Sequence, residues 1–220
     1  MKILQSILSP KLYKRFALWY YKTFGSPQTF NRGSLFGAMV ALRFQEATAP
    51  ARFVVSGDSV AAGGEPFFEL IEDCRCSAIP GDRTETLLAR IKENVLVYQP
   101  EAVVLHIGGN DILAGLPMDW TVDNLSKIYD ALKAAGVKRI AWLTVLPLAG
   151  QFAKAHYAAG ELCAIVRRQL KFDVLDVRTP LTGPDGFIHP RYNGDGIHCN
   201  ALAYNDVFYP IVAKYMRGKA

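Results

Sequence analysis

The chain has 220 residues, half of them apolar and a fifth charged, enough to bury one sizeable core without dividing into two domains. Its net charge of +5 is uneven, because residues 1–45 hold seven Lys or Arg and no Asp or Glu, leaving 18 basic residues against 20 acidic ones from residue 46 onward. A body of slightly negative charge is no basic platform, so nucleic acid is not expected as a partner.

At the start, MKILQSILSPKLYKR has too short an apolar run before Pro10 to be a signal peptide. The later stretch GSLFGAMVAL, followed by Ala47, Thr48 and Ala49, is interrupted by Arg43 and Glu46. Phe16, Trp19, Tyr20, Tyr21, Phe24 and Phe30 lie among basic residues, a composition suited either to a bilayer interface or to an arm making a packing or dimer contact. Residues 1–50 are therefore read as an appendage to one domain over 51–220. The longest uncharged run, Ile140 to Ala153, has 14 residues and a proline, short of the roughly 20 that a spanning helix needs. A cytoplasmic or membrane-peripheral location is expected, with export left open. Cysteines 74, 76, 163 and 199 fit no zinc spacing and read as free, mostly buried thiols.

From Arg52 onward, short β-branched runs alternate with amphipathic stretches, the pattern of a parallel sheet covered by helices. Strands are expected over Phe53–Ser56, Cys74–Ile79, Ala102–Ile107, Arg139–Val145 and Phe172–Val177. The segment TETLLARIKENVLVYQP places Leu87, Leu88, Ile91, Val95 and Tyr98 at helical spacing and stops at Pro100. A second helix, TVDNLSKIYDALKAAG, is expected to be capped by Thr121 or Asp123 and to end on Gly136. Together these predict an α/β fold, a flavodoxin-like three-layer sandwich on a five-stranded parallel sheet, with ligands at the carboxyl ends of the strands.

Four features at those ends carry chemistry. RFVVSG runs into Asp58 and Ser59, so the Ser59 hydroxyl and backbone N–H are expected to face the carboxyl edge of the sheet, although Asp and Ser are also ordinary cap residues there. IPGDRT offers Gly81, where a backbone can approach a ligand closely, or simply a Pro-Gly turn. VVLHIGGNDIL releases into Gly108, Gly109, Asn110 and Asp111, where the Asn110 carboxamide can donate a hydrogen bond without carrying charge, or merely form a turn. In DGIH, Asp195 can hold one ring nitrogen of His198 while the other faces a nucleophile, an activation that a serine hydroxyl needs; the same pair could be a cap beside a surface histidine. His106 is read as a hydrogen-bonded residue at the edge of the core, and His156 and His189 as surface or loop residues. Cys199 adjoins His198, but sequence neighbours usually point apart, so Ser59 is the better-placed nucleophile.

Taken together, GDSVAAGG, PGDRTETLLARI, VVLHIGGNDIL and PDGFIHPRYNGDGIHCN resemble the SGNH hydrolase superfamily, also called GDSL esterases and lipases, from about Phe53 to Val212. The resemblance implies a serine esterase acting on small carboxylic esters through an acyl-enzyme, without metal or organic cofactor. It makes Ser59 the nucleophile, His198 the base and Asp195 its partner. The Ser59 and Gly81 amides with the Asn110 side chain form the implied oxyanion hole, and Asp58 and Asp111 frame the loops. Gly109 stands where Thr is common, Pro80 precedes Gly81, Cys199 follows the base where an aliphatic is common, and Ala203 replaces a frequent Gly. An acyltransferase or thioesterase would share these residues, whereas a non-catalytic flavodoxin-like binding module would have no use for Asp195 and His198.

Overall fold

In the computed structural model, residues 50–218 are described; the basic, aromatic arm over residues 1–45 lies outside them. Strands β1 (Phe53–Gly57), β2 (Cys74–Ala78), β3 (Ala102–His106), β4 (Arg139–Leu143) and β5 (Asp173–Leu175) form one parallel sheet in the order β2-β1-β3-β4-β5. Every residue of β1 and β3 is buried, which is why these strands read as continuous apolar runs rather than alternating ones.

The connecting helices are α1 (Ser59–Gly63), α2 (Glu65–Phe68), α3 (Thr84–Asn94), α4 (Gly109–Leu113), α5 (Met118–Ala134), α6 (His156–Gln169) and α7 (Arg178–Leu181), and the chain closes with the helical segments Ala201–Ala203, Tyr204–Phe208 and Tyr209–Met216. Two apolar cores lie on opposite faces of the sheet. On one, Val54, Val103, Leu105 and Trp142 meet Leu87 of α3, Leu125 and Ile128 of α5, and Leu162 of α6. On the other, Val55, Val104 and Leu143 meet Val60, Phe68, Leu181, Phe208 and Val212. The expected three-layer α/β/α sandwich is thus present.

Element ends depart from expectation for local reasons. Strand β4 stops two residues early because the Thr144 hydroxyl accepts the backbone N–H groups of Val177 and Arg178 at 3.0 and 2.9 Å, turning both chains out of the ladder. Strand β5 (Asp173–Leu175) loses Asp176 and Val177 from its end for the same reason. Helix α5 begins at Met118, after Pro117, so Thr121 and Asp123 are not its caps. Thr121 is buried in the first turn and donates back to the Pro117 carbonyl, while Asp123 pairs with Lys127 one turn on. Its end agrees with the sequence, with Gly136 at φ +87° just beyond. No helix among the described residues is long and apolar enough to cross a membrane.

The strand order reverses at β1, whose neighbours β2 and β3 lead to opposite ends of the sheet, and such a switch point opens a crevice at the strand ends. Here Gly57 has φ +138°, and a Cβ on it would lie 1.9 Å from the His106 carbonyl oxygen. Only glycine allows this approach. Gly57→Ala should therefore lower folding stability by about 2–4 kcal/mol in urea denaturation. An unchanged midpoint would show that the contact is not a constraint.

Candidate active site

Ser59 opens α1 directly after β1. Asp58 caps that helix through its side chain, which accepts Val60 N–H at 3.0 Å, while Asp58 N–H donates to the His106 carbonyl at 3.1 Å. The half-buried Ser59 hydroxyl is thereby held at the edge of the crevice, 2.9 Å from His198 Nε2. On its other side, His198 Nδ1 lies 2.8 Å from Asp195 Oδ2. A carboxylate only accepts, so the neutral ring carries its proton on Nδ1 and offers the Nε2 lone pair to the serine O–H.

The loop bearing Asp195 and His198 is fixed from several directions. Asp195 Oδ1 accepts the backbone N–H groups of Ile197 and His198 at 3.1 and 2.8 Å. Gly196, at φ +93°, donates to the Asn193 side chain at 2.6 Å, and its carbonyl accepts Ala149 N–H at 2.9 Å. A Cβ at Gly196 would come within 2.8 Å of the Ala149 carbonyl, so the loop sits hard against the segment after β4. Partial burial pushes the Asp195 carboxyl up, but the His198 side-chain and backbone hydrogen bonds outweigh it and hold Asp195 below the usual carboxylate range. It stays ionised while supporting the imidazole. Burial pushes the Cys199 thiol up to about 12, which leaves Ser59 as the activated nucleophile candidate beside His198.

Asn110 lies in the first turn of α4 and lines the same cavity as Ser59. Its Nδ2 donates one hydrogen to the Asp82 carbonyl at 2.8 Å, and an amide nitrogen has a second. Gly81, at φ +86°, is the residue before Asp82 in the loop after β2, so the Asn110 bond ties together the two loops the sequence singled out. Asp111 turns away from the cavity. It is fully buried and accepts Thr84 N–H at 3.0 Å together with the Thr84 hydroxyl, which also receives Asn124 Nδ2. Its framing role agrees with expectation.

Two contributors escaped sequence reading. Arg90, two turns into α3, places Nε 2.6 Å from Asp82 Oδ2 and donates to the Ser77 and Gly57 carbonyls, so one guanidinium joins β1, β2 and the Gly81 loop. Burial pushes the Asp82 carboxyl up against the opposing pull of Arg90. His156 is no plain surface residue: it begins α6, half-buried, with Nδ1 accepting Leu148 N–H at 3.2 Å and Nε2 2.9 Å from Arg178. Burial, then the Arg178 charge, lower its pKa, and the ring braces Leu148, a wall of the cavity. Neither pairing has a spacing that a motif could reveal.

Residues 55–205 match the profile of the GDSL-like Lipase/Acylhydrolase family. The chain belongs to this family. This GDSL-type chain is 28% identical over 192 residues to the thioesterase 1/protease 1/lysophospholipase L1 of Escherichia coli strain K12, covering 81% of this chain and 86% of that one. An arylesterase of Vibrio mimicus is 30% identical over 103 residues, 40% of this chain and 52% of the other. A solved GDSL-like lipase from Bacteroides thetaiotaomicron shares the fold with a TM-score of 0.70 at 20% identity, over 84% and 97% of the two chains. The GDSL-type chain is thus a carboxylic ester hydrolase by class.

The side chains of Asp82 and Arg90 are about a tenth exposed, so breaking their pair strands a charge out of water. Arg90→Met is expected to cost about 3–5 kcal/mol, and Arg52→Met, whose partner Glu101 is exposed, distinctly less. Equal losses in urea denaturation would contradict this ranking.

Proposed function

We propose that Ser59, His198 and Asp195 are the catalytic triad of a serine esterase that works through an acyl-enzyme. The observation that supports this most is the unbroken hydrogen-bonded chain from Ser59 Oγ through both ring nitrogens of His198 to Asp195, standing at the switch point of the sheet. Ser59 Oγ attacks the ester carbonyl as His198 Nε2 takes its proton. The imidazolium, stabilised by the Asp195 carboxylate, returns that proton to the departing alkoxide. Water then attacks the acyl-enzyme with His198 again as base, and Ser59 leaves as the free hydroxyl. The negative charge on the carbonyl oxygen in each tetrahedral state is assigned to the backbone N–H groups of Ser59 and Gly81 and to the second Nδ2 hydrogen of Asn110.

Thioesters are a second substrate class for the same machinery, supported by the thioesterase named among the relatives. The triad needs no change for them, because only the leaving atom differs.

Ser59→Ala is expected to abolish hydrolysis of nitrophenyl esters and labelling by a fluorophosphonate; labelling that persists would overturn the assignment. Asn110→Ala should lower kcat by about 2.7–4 kcal/mol of transition-state stabilisation with little change in KM. A change confined to KM would remove Asn110 from the oxyanion hole.

A further inference from the structure

The cavity beside Ser59 measures about 20 Å³, room for one water-sized group. Its apolar walls are Leu113, Val145, Leu146, Leu148 and Ile197. Ser59, Asn110 and Asp58 also line it, and each has the hydrogen-bond partner already described. His106 lines it too, and differs from them. It is 1% exposed, its Nδ1 lies 2.9 Å from Asp58 Oδ1, and its Nε2 is buried with no hydrogen-bond partner among the described residues.

The Asp58 carboxylate accepts from Nδ1–H, so Nε2 presents a lone pair on a neutral ring and an N–H on a protonated one. Leaving such an atom buried and unbonded is unfavourable, and an apolar side chain at the same place would avoid the penalty. The mechanism does not use Nε2, and α1 is already capped through Asp58. His106 lines the cavity, so a polar group entering there is the candidate partner for this atom.

Resting on the esterase reading of Ser59, we propose that His106 is a specificity-determining residue whose Nε2 binds a hydroxyl on a short acyl group, hydroxyacetyl being the smallest. A hydroxyl both donates and accepts, so it satisfies Nε2 in either protonation state. The apolar walls suit the carbon that bears it. A site built around such a bond discriminates strongly against an analogue that lacks the hydroxyl, because the buried partner is then left unpaired.

The test compares 4-nitrophenyl hydroxyacetate with 4-nitrophenyl propionate, which differ by a hydroxyl in place of a methyl. Each kcat/KM is divided by the hydroxide-catalysed rate of the same ester to remove intrinsic reactivity, and a fluorophosphonate titration counts competent enzyme. The full chain should favour hydroxyacetate at least tenfold after this correction. His106→Leu should remove the preference and His106→Gln should retain part of it. An absent preference, or one unchanged in His106→Leu, overturns the hydroxyl contact alone. Should the Leu variant not fold, the corrected ratio of the unaltered chain decides. If the unaltered chain cleaves neither ester and takes no fluorophosphonate, the esterase reading fails and this proposal with it.

Discussion

The site depends on how closely two backbones meet where β1 and β3 end. Gly57 faces the His106 carbonyl at a distance no side chain would tolerate, and the next residue, Asp58, donates its N–H to that same carbonyl. This contact sets the turn on which Ser59 leaves the sheet. It also brings the loop after β3, with Asn110, beside the start of α1. Because β1 is the strand from which the sheet runs both ways, the chain segments following β1 and β3 part at its carboxyl end, and the space between them is the cavity.

Around this point the protein buries three carboxylates. Asp58, Asp82 and Asp111 are all inside, and each is matched: Asp58 by His106 and a helix N-terminal N–H, Asp82 by Arg90 and Thr86, Asp111 by the backbone and hydroxyl of Thr84. Buried ions of this kind add little net stability compared with apolar packing, yet removing one partner is costly. Their effect is to fix geometry. Three loops that are far apart in sequence are joined into one rim, and Asn110 is locked to the Asp82 carbonyl at its edge.

Much of this was legible in the sequence. The central strands β1 and β3, covered on both faces, announce themselves as largely apolar runs, and Ser59, Gly81, Asn110 and His198 each follow a strand or precede the closing helical segments. The structure brings Ser59 within hydrogen-bond distance of His198 across 139 residues, with Asp195 behind the ring. What stayed hidden involves partners that only folding brings together. Arg90 lies on a helix whose exposed-face pattern says nothing of Asp82, and Asp58 meets His106 across two strands. Thr121 looked like a cap because its residue type favours caps, but Pro117 offered an earlier helix start and Thr121 was buried inside the first turn.

The central proposal is that the Ser59 oxygen becomes covalently acylated during turnover. The most direct measurement is rapid acid quenching of the enzyme during the first turnover of 4-nitrophenyl acetate, followed by peptide mapping by mass spectrometry. The account predicts an initial burst of nitrophenolate matched by one acetyl group on the peptide containing Ser59. An acetyl group on Cys199, or full turnover with no acylated peptide and no burst when deacylation is slowed at low pH, would contradict it.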